Sequence, residues 1–428
     1  MDNKILGDVV KKISPSDEEL KRVESRVSDF KKKISPYLKS RASVFIGGSL
    51  AKKTVIRKET GYDIDFFVMF KKDNPLGKKE KDISQELENI LKKLKVKYIV
   101  LKGSRNYFQV DFQGLRFELV PIIEIKNAGE AKNITDISPL HVRYLLKKES
   151  KNKKIADEIK LAKAFCYASE CYGAESYIKG FSGYALEILT CHYGSFSKFA
   201  REASKWNLKD KILIDPEKFY KKKEKILEEI NKSKQESPVI LIDPVQKERN
   251  VCAALGKETL EKFIITCKKF ISKPSKEFFF KKEFDPNNLK NKAKNGSKFY
   301  ELRAISLKDK SDIAGAKLKK FYEFLIYKLK KENFSIVSSH FDFNEKSLES
   351  RYFFVIKEPS LEIIMPGPPI TIEKKYQDNF KRGWKNTFIK NGRLYAKAKR
   401  KFSNFPEFLK QATQNMKEMG IKKVEILK

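Results

Sequence analysis

Residues 44 to 70 read Val-Phe-Ile-Gly-Gly-Ser-Leu-Ala-Lys-Lys-Thr-Val-Ile-Arg-Lys-Glu-Thr-Gly-Tyr-Asp-Ile-Asp-Phe-Phe-Val-Met-Phe, and the rest of the 428-residue chain is organised around them. Val44, Phe45 and Ile46 form an apolar run expected to be a buried strand. It leads into Gly47-Gly48-Ser49, where the lack of side chains lets backbone N–H groups approach an anion such as phosphate. Leu50 to Thr54 is expected to be a short helix whose N-terminus faces the same anion, with Lys52 and Lys53 adding charge. After a turn around Gly61, a second strand carries Asp63 and Asp65 on one face while Ile64 and Phe66 point the other way. Alone, a Gly-Gly-Ser is usually a turn and an Asp-x-Asp a solvated strand. Side by side they suit phosphoryl transfer, in which carboxylate-held Mg²⁺ activates a hydroxyl and neutralises a triphosphate positioned by the glycine turn.

The formal net charge of +36 points to a polyanion, with an RNA or DNA backbone first among them; a Lys-rich composition accounts for part of the excess. The length predicts two to four domains. Five cysteines, Cys166, Cys171, Cys191, Cys252 and Cys267, form no C-x-x-C spacing, which fits a reducing cytoplasm, and three histidines argue against a His-based zinc site. The N-terminus has no apolar signal region and no stretch approaches the ~18 to 20 apolar residues of a membrane span, so a soluble, cytoplasmic protein is expected.

Residues 1 to 40 read as helix interrupted at Ser14-Pro15, with Ser16 as N-cap, Glu19 closing a capping box, and Leu20, Val23, Val27 and Phe30 covering the sheet. Beyond the Asp-x-Asp strand come a polar loop (Lys71 to Lys81), a helix over 83–94, and a hairpin of Tyr107–Phe112 and Leu115–Val120 ended by Pro121. Metal-dependent phosphoryl transfer usually draws a third carboxylate from a neighbouring strand. The hairpin offers Asp111 and Glu118, and spacing does not decide between them. Helical composition starts near 152: Lys154 to Cys171, then a helix opened by Gly180-Phe-Ser-Gly-Tyr184. Lys218 to Lys234 reads as a solvated surface helix. Val239 to Val245 reads as extended, and Arg249-Asn-Val-Cys-Ala-Ala-Leu as the start of a helix. Lys273 to Lys298 suggests a linker into a β-α-β-β module (strand 299–307, helix 312–332, strands 334–341 and 351–357). Met365-Pro-Gly-Pro-Pro reads as a rigid turn. The tail from Asn379 to Lys410 interleaves Phe380, Trp384, Phe388, Tyr395 and Phe402 with Lys and Arg, a pattern suited either to RNA or to a core with a basic face.

The order Gly-Gly-Ser, Asp-x-Asp, acid-x-Val-Pro, Gly-Phe-Ser-Gly-Tyr and Arg-Asn-Val-x-Ala-Ala resembles the archaeal (class I) CCA-adding tRNA nucleotidyltransferases of the polymerase-β-like superfamily. Ile134-Thr-Asp-x-Ser-Pro-Leu-His141, Asp243-Pro-Val245 and the Gly-Pro-Pro at 367–369 extend the match over nearly the whole chain. The resemblance implies an α+β multidomain chain. Its parts are a polymerase-β-like nucleotidyltransferase head with a mixed sheet and flanking helices (1–145), a helical neck completing the nucleotide pocket (146–272), and a basic α+β body and tail for tRNA binding (273–428). It implies Asp63, Asp65 and Glu118 as catalytic ligands of a two-metal Mg²⁺ site. Triphosphate contacts are implied from Gly48, Ser49, Lys52, His141, Lys163 and Tyr172, and base recognition near Arg249. The family more often has Arg at Lys52 and Asp at Glu118.

The expected activity is template-independent addition of C, C and A to the 3′ end of tRNA, with CTP and ATP as substrates, release of pyrophosphate, the acceptor arm as partner, and homodimerisation implied by family likeness. The alternatives are a poly(A)-polymerase-like tailing enzyme, or an inactive RNA-binding protein of the same fold.

Overall fold

A computed structural model describes residues 3–57, 62–72, 80–360, 362–402 and 404–428. The chain divides into two compact units, one of Met1–Ala174 with Ile178–Lys282, the other of Glu175–Tyr177 with Glu283–Lys428.

The first unit opens with α1 (Asn3–Ile13) and α2 (Asp17–Leu38). Ser16 caps α2 as its sequence predicts: its Oγ accepts from Glu19 N at 3.2 Å, and its own N donates to Glu19 Oε2 at 3.2 Å. Val23, Val27 and Phe30 bury against the sheet, where Phe30 meets the rings of Phe66, Phe112 and Phe117. In α1, by contrast, Leu6, Val9 and Ile13 join the core of the later helices.

The sheet runs β1-β2-β5-β4-β3, from β1 (Ala42–Ile46), β2 (Asp63–Phe70), β3 (Ile99–Leu101), β4 (Tyr107–Phe112) and β5 (Leu115–Ile123). Only β2 and β5 pair in parallel, so the sheet is mixed. Between β1 and β2 lies α3 (Gly48–Ala51), and α4 (Glu80–Lys93) covers the sheet with Ile83, Leu87, Ile90 and Leu91. The turn at Gly61 and most of the expected loop from Lys71 to Lys81 lie outside the described residues.

Pro121 does not end β5. Pairing with β4 stops at Phe108–Leu119, so the side of β5 away from β2 is open beyond that point. The Pro121 carbonyl, and with it the nitrogen that lacks a hydrogen, faces this side, where Arg105 Nη1 donates to the carbonyl at 3.0 Å. The same buried Arg105 pairs with Asp136, whose Oδ1 accepts from Ile123 N at 2.9 Å. The Asp of the Thr-Asp-x-Ser-Pro-Leu-His stretch thus finishes the strand that carries Glu118.

The expected junction at 145/146 falls inside α5 (Ser138–Lys151). It is followed by α6 (Ile155–Ala168), α7 (Gly183–Tyr193), α8 (Phe196–Ala203) and, later, α10 (Lys257–Ser272). Their core is aromatic, with Phe165, Phe196, Phe199, Phe263 and Phe270 fully buried. Between α8 and α10 a small sheet runs β6 (Ile212–Ile214), β7 (Val239–Asp243), β8 (Gln246–Asn250). The basic segment 218–234 is helical only over α9 (Lys223–Glu229) and a single turn at Lys232–Lys234, because Ile230 and Asn231 are extended. Arg249 does not start a helix either. Asp243-Pro244-Val245 turns the chain into a β7–β8 hairpin, and the Asn250 side chain accepts from Leu241 N and Cys252 N at 3.0 and 2.9 Å, which fixes a turn before α10.

The second unit begins at Glu283, with α11 (Pro286–Lys290) inside the expected linker. Its main sheet, β10-β11-β9-β15, is built from β9 (Ser297–Ser306), β10 (Ser335–Asn344), β11 (Glu349–Lys357) and β15 (Ile421–Ile426). It is covered by α12 (Ser311–Lys331) and α14 (Phe405–Ala412) through Leu318, Phe321, Leu325 and Phe408. A second sheet, β12-β14-β13, holds β12 (Glu362–Pro369), β13 (Thr387–Lys390) and β14 (Arg393–Lys399), flanked by α13 (Lys374–Gly383). The Met365-Pro-Gly-Pro-Pro stretch is therefore strand, not turn. β12 is an edge strand with its register shifted between Pro366 and Pro369, where prolines are tolerated. Phe380 packs on Gly367, where a Cβ would lie 2.6 Å from its ring, and Phe402 packs against the main core. Trp384 lies against Phe380 and Phe388 stacks on Tyr395, so all five tail aromatics make packing contacts.

Candidate active site

The two glycines of Gly47-Gly48-Ser49 are required by what surrounds them. A Cβ on Gly47 would stand 2.2 Å from the Phe67 ring; one on Gly48, whose φ is +60°, would stand 1.6 Å from Asp65 Oδ2. Gly47 N donates to the Asp65 carbonyl at 2.9 Å, so the turn is fastened to the strand bearing the acids. The helical segment begins earlier than expected, at Gly48, and ends at Ala51.

In the parallel register Asp63 faces Arg116 and Asp65 faces Glu118, placing all four on one face of β2 and β5. Burial pushes the Asp65 carboxyl above the usual carboxylate range, with Lys52 pulling it down and Asp63 pushing it further up. Burial, followed by Asp65 and Asp63, raises Glu118 to about 7. Asp111 sits across β4 opposite Arg116, its side chain 70% exposed and its carboxylate 3.6 Å from the guanidinium. Register therefore separates the two candidates that spacing left open: Glu118 adjoins Asp65, and Asp111 adjoins an arginine.

Among the described residues none of Asp63, Asp65 and Glu118 has a side-chain hydrogen bond or ion pair, and no three His, Cys, Asp or Glu side chains are gathered at metal-binding distances. Three like charges on neighbouring positions repel. The all-oxygen donor set, the raised protonation of Asp65 and Glu118 and the lack of a direct ion-pair partner among the described residues fit a hard divalent cation.

Beside the acids, Glu187 of α7 is completely buried and holds both lysines of the expected triphosphate set. Lys52 Nζ lies 2.6 Å from Oε2 and Lys163 Nζ 2.8 Å from Oε1, while Thr54 Oγ1 donates to Oε1 at 3.0 Å and accepts from Lys163 at 2.8 Å. Burial disfavours the Glu187 carboxylate, but Lys163 and Lys52 outweigh it and hold its pKa at about 2. Lys53 turns outward to Glu149.

The other cluster is built on Asp243, also completely buried, at the end of β7. Its Oδ2 lies 3.0 Å from His141 Nε2 and 2.6 Å from Arg249 Nη1; its Oδ1 accepts from Tyr184 OH and Val245 N at 3.1 and 3.0 Å. The His141 and Tyr184 rings stack at 4.1 Å. Burial lowers the His141 pKa and Asp243 opposes it. In Gly180-Phe-Ser-Gly-Tyr184, Gly180 allows close approach to the Cys171 carbonyl and Ser182 caps α7. Gly183 leaves room for the Tyr172 hydroxyl, which a Cβ would meet at 2.9 Å.

Every expected site residue, and Asp111 as well, falls in the first unit: Gly48 and Ser49 with the acids, Lys52 and Lys163 on Glu187, His141 and Arg249 on Asp243, and Tyr172 against Gly183. Sequence reading missed Glu187 and Asp243. Each had a signal, an acid set in an apolar run (Ala185-Leu-Glu-Ile-Leu189 and Val239-Ile-Leu-Ile-Asp243), the same signal that marked Glu118.

A mixed sheet with a glycine turn fastened to an Asp-x-Asp strand, and clustered cations beside it, defines a nucleotidyltransferase of the polymerase-β-like superfamily. Solved structures agree on the fold: a structure titled as a cytoplasmic RNA terminal U-transferase aligns at a TM-score of 0.51 and 12% identity, covering 66% of this chain and 98% of that one. Family models match along the chain: a Second Messenger Oligonucleotide or Dinucleotide Synthetase domain over residues 2–138, the second domain of tRNA nucleotidyltransferase over 157–280, and the C-terminal domain of CCA-adding enzymes over 309–427. The CCA-adding enzyme of Nanoarchaeum equitans is 34% identical over 84% of each chain, and that of Methanocaldococcus jannaschii 28% identical over 98% of this chain and 92% of its own. The chain belongs to the CCA-adding enzyme family.

Proposed function

We propose that this chain adds C, C and A to the 3′ end of tRNA, using CTP and ATP without a template and releasing pyrophosphate. The observation that carries the site assignment is the pairing of Asp65 with Glu118 across β2 and β5, beside a glycine turn that a single added Cβ would drive into Asp65. Asp63, Asp65 and Glu118 would hold Mg²⁺, which when bound supplies activation of the attacking hydroxyl and neutralisation of the triphosphate. Gly48 and Ser49 seat the triphosphate close to these acids. Lys52, Lys163, His141 and Tyr172 bind its oxygens and balance the charge that passes to the leaving pyrophosphate. Arg249, with 31% of its side chain exposed, is left to meet the base.

The basic second unit would hold the acceptor arm by shape and phosphate contacts. No helix among the described residues is long and apolar enough to cross a membrane. A cytoplasmic setting and a homodimer belong to the same reading, and sedimentation of the purified chain tests the dimer.

The activity is tested with tRNA lacking its 3′ CCA, Mg²⁺, and CTP alone, ATP alone, then both. Two additions with CTP and a third only with ATP are expected. A long ladder with ATP alone would make the chain a tailing enzyme, and no extension would leave an RNA-binding protein of the same fold.

A further inference from the structure

Four donors converge on Asp243: Nε2 of His141, Nη1 of Arg249, the Tyr184 hydroxyl and the Val245 backbone N. Two oxygens share them evenly, two donors each. The side chains come from α5, α7 and β8, and the acid itself from β7, so four elements meet at one buried carboxylate. Its burial makes this costly unless every donor is in place. The guanidinium spends Nη1 on Asp243 and stacks near the Tyr184 ring at 5.8 Å, which leaves the other donors of its rigid fork in a fixed direction.

We propose that Asp243 is a positioning residue for nucleotide choice: by holding Arg249 and His141 on one carboxylate oxygen, it couples the fit of the base to the seating of the triphosphate. This rests on the roles given above to Arg249 and His141. The chemistry of the choice follows from a fork that only donates. Cytosine N3 and adenine N1 are acceptors on the Watson–Crick edge, whereas uracil N3–H and guanine N1–H are donors and leave a fixed guanidinium without a partner. A guanidinium free to swing would find other acceptors, such as the carbonyl oxygens of uracil and guanine, and lose the distinction. Because His141 leans on the same oxygen, a base that displaces Arg249 also disturbs the histidine.

Asp243→Asn tests the role with almost no change of shape. The amide has one acceptor oxygen, so its NH₂ must face either the His141–Arg249 pair or the Tyr184–Val245 pair, all of which donate. In single-turnover extension of tRNA ending in the second or the first C of its 3′ CCA, the variant is expected to raise KM for CTP and ATP by about tenfold and to reduce discrimination against UTP and GTP by about tenfold, with tRNA affinity unchanged. Arg249→Ala is expected to lose discrimination more completely, and adding Asp243→Asn to it is expected to cause no further loss. Tyr184→Phe, which removes one donor and keeps the ring, should shift KM and discrimination the same way by a smaller factor. If Asp243→Asn does not fold, Tyr184→Phe decides, and unchanged discrimination in it overturns the proposal. Discrimination lost in Arg249→Ala but intact in folded Asp243→Asn, or losses that multiply in the double variant, also overturn it. Intact discrimination in Arg249→Ala would instead overturn the role of Arg249 as base reader, and with it the coupling.

Discussion

The acidic and basic halves of the site are built in opposite ways. On β2 and β5 the three carboxylates have no hydrogen-bond or ion-pair partner among the described residues, and burial with mutual repulsion raises two of them. At Lys52 and on α5, α6 and β8 the donors are each held by a buried acid: Lys52 and Lys163 by Glu187, His141 and Arg249 by Asp243. The difference follows from what each half awaits. A compact divalent cation binds strongly enough to gather repelling carboxylates, whereas a triphosphate is large and flexible, and its donors need fixed directions before it arrives.

The largest break in this comparison is removal of an acid. Asp65→Ala should reduce nucleotide transfer by roughly a thousandfold or more while tRNA affinity stays within about twofold, read by single-turnover extension and filter binding. Glu118→Gln should lose at least about a hundredfold by the same assay.

Breaking the basic half should first cost stability. Glu187→Gln leaves two buried lysines facing each other without their counter-charge, and thermal or urea unfolding should show a loss of about 3 to 5 kcal/mol. The sign with pH follows from a folded pKa of about 2 against a reference of 4.5. The unfolded chain binds the proton more readily, so the stabilisation is fully present above about pH 4.5 and disappears as pH falls toward 2. Wild type should lose more stability across that window than Glu187→Gln.

Glu118 carries the opposite sign. Its folded pKa of about 7 exceeds the reference 4.5, so this advantage of the folded protein is fully present below about pH 4.5 and is lost as pH rises from there through 7. A divalent cation must displace this proton. Mg²⁺ should therefore raise the melting temperature more at pH 8 than at pH 6, and half-saturating Mg²⁺ for extension should fall as pH rises. Equal shifts at both pH values would remove Glu118 from the metal site. The smallest effect is expected from Asp111→Ala, which breaks only an exposed pairing with Arg116; activity should stay within about twofold.

The acidic half was legible in the sequence because it is local: period-two spacing fixed the shared face of Asp63 and Asp65, and the apolar run around Glu118 marked an acid in need of a partner. Between Glu118 and Asp111 the residues alone did not choose, and the resemblance favoured Glu118; the register that sets Glu118 beside Asp65 arises from strand pairing and is invisible to spacing. The basic half was less legible. Lys52 and Glu187 are 135 residues apart, and His141 and Asp243 are 102 apart. Their pairing depends on how α5, α7 and the β7–β8 hairpin pack. Arg249 was misplaced on a helix because helical composition follows it; the Asn250 side chain, by capping the turn after β8, overrides that propensity. Likewise Met365-Pro-Gly-Pro-Pro looked like a turn because only an edge strand accepts such a run, and edges are set by tertiary pairing.

The most direct test of the site is anomalous diffraction from crystals grown with Mn²⁺ and CTP. Manganese peaks are expected within ligating distance of Asp63, Asp65 and Glu118, with the triphosphate reaching Lys52, Lys163 and His141. A peak at Asp111, or a triphosphate bound away from the glycine turn with the three acids bare, would contradict it.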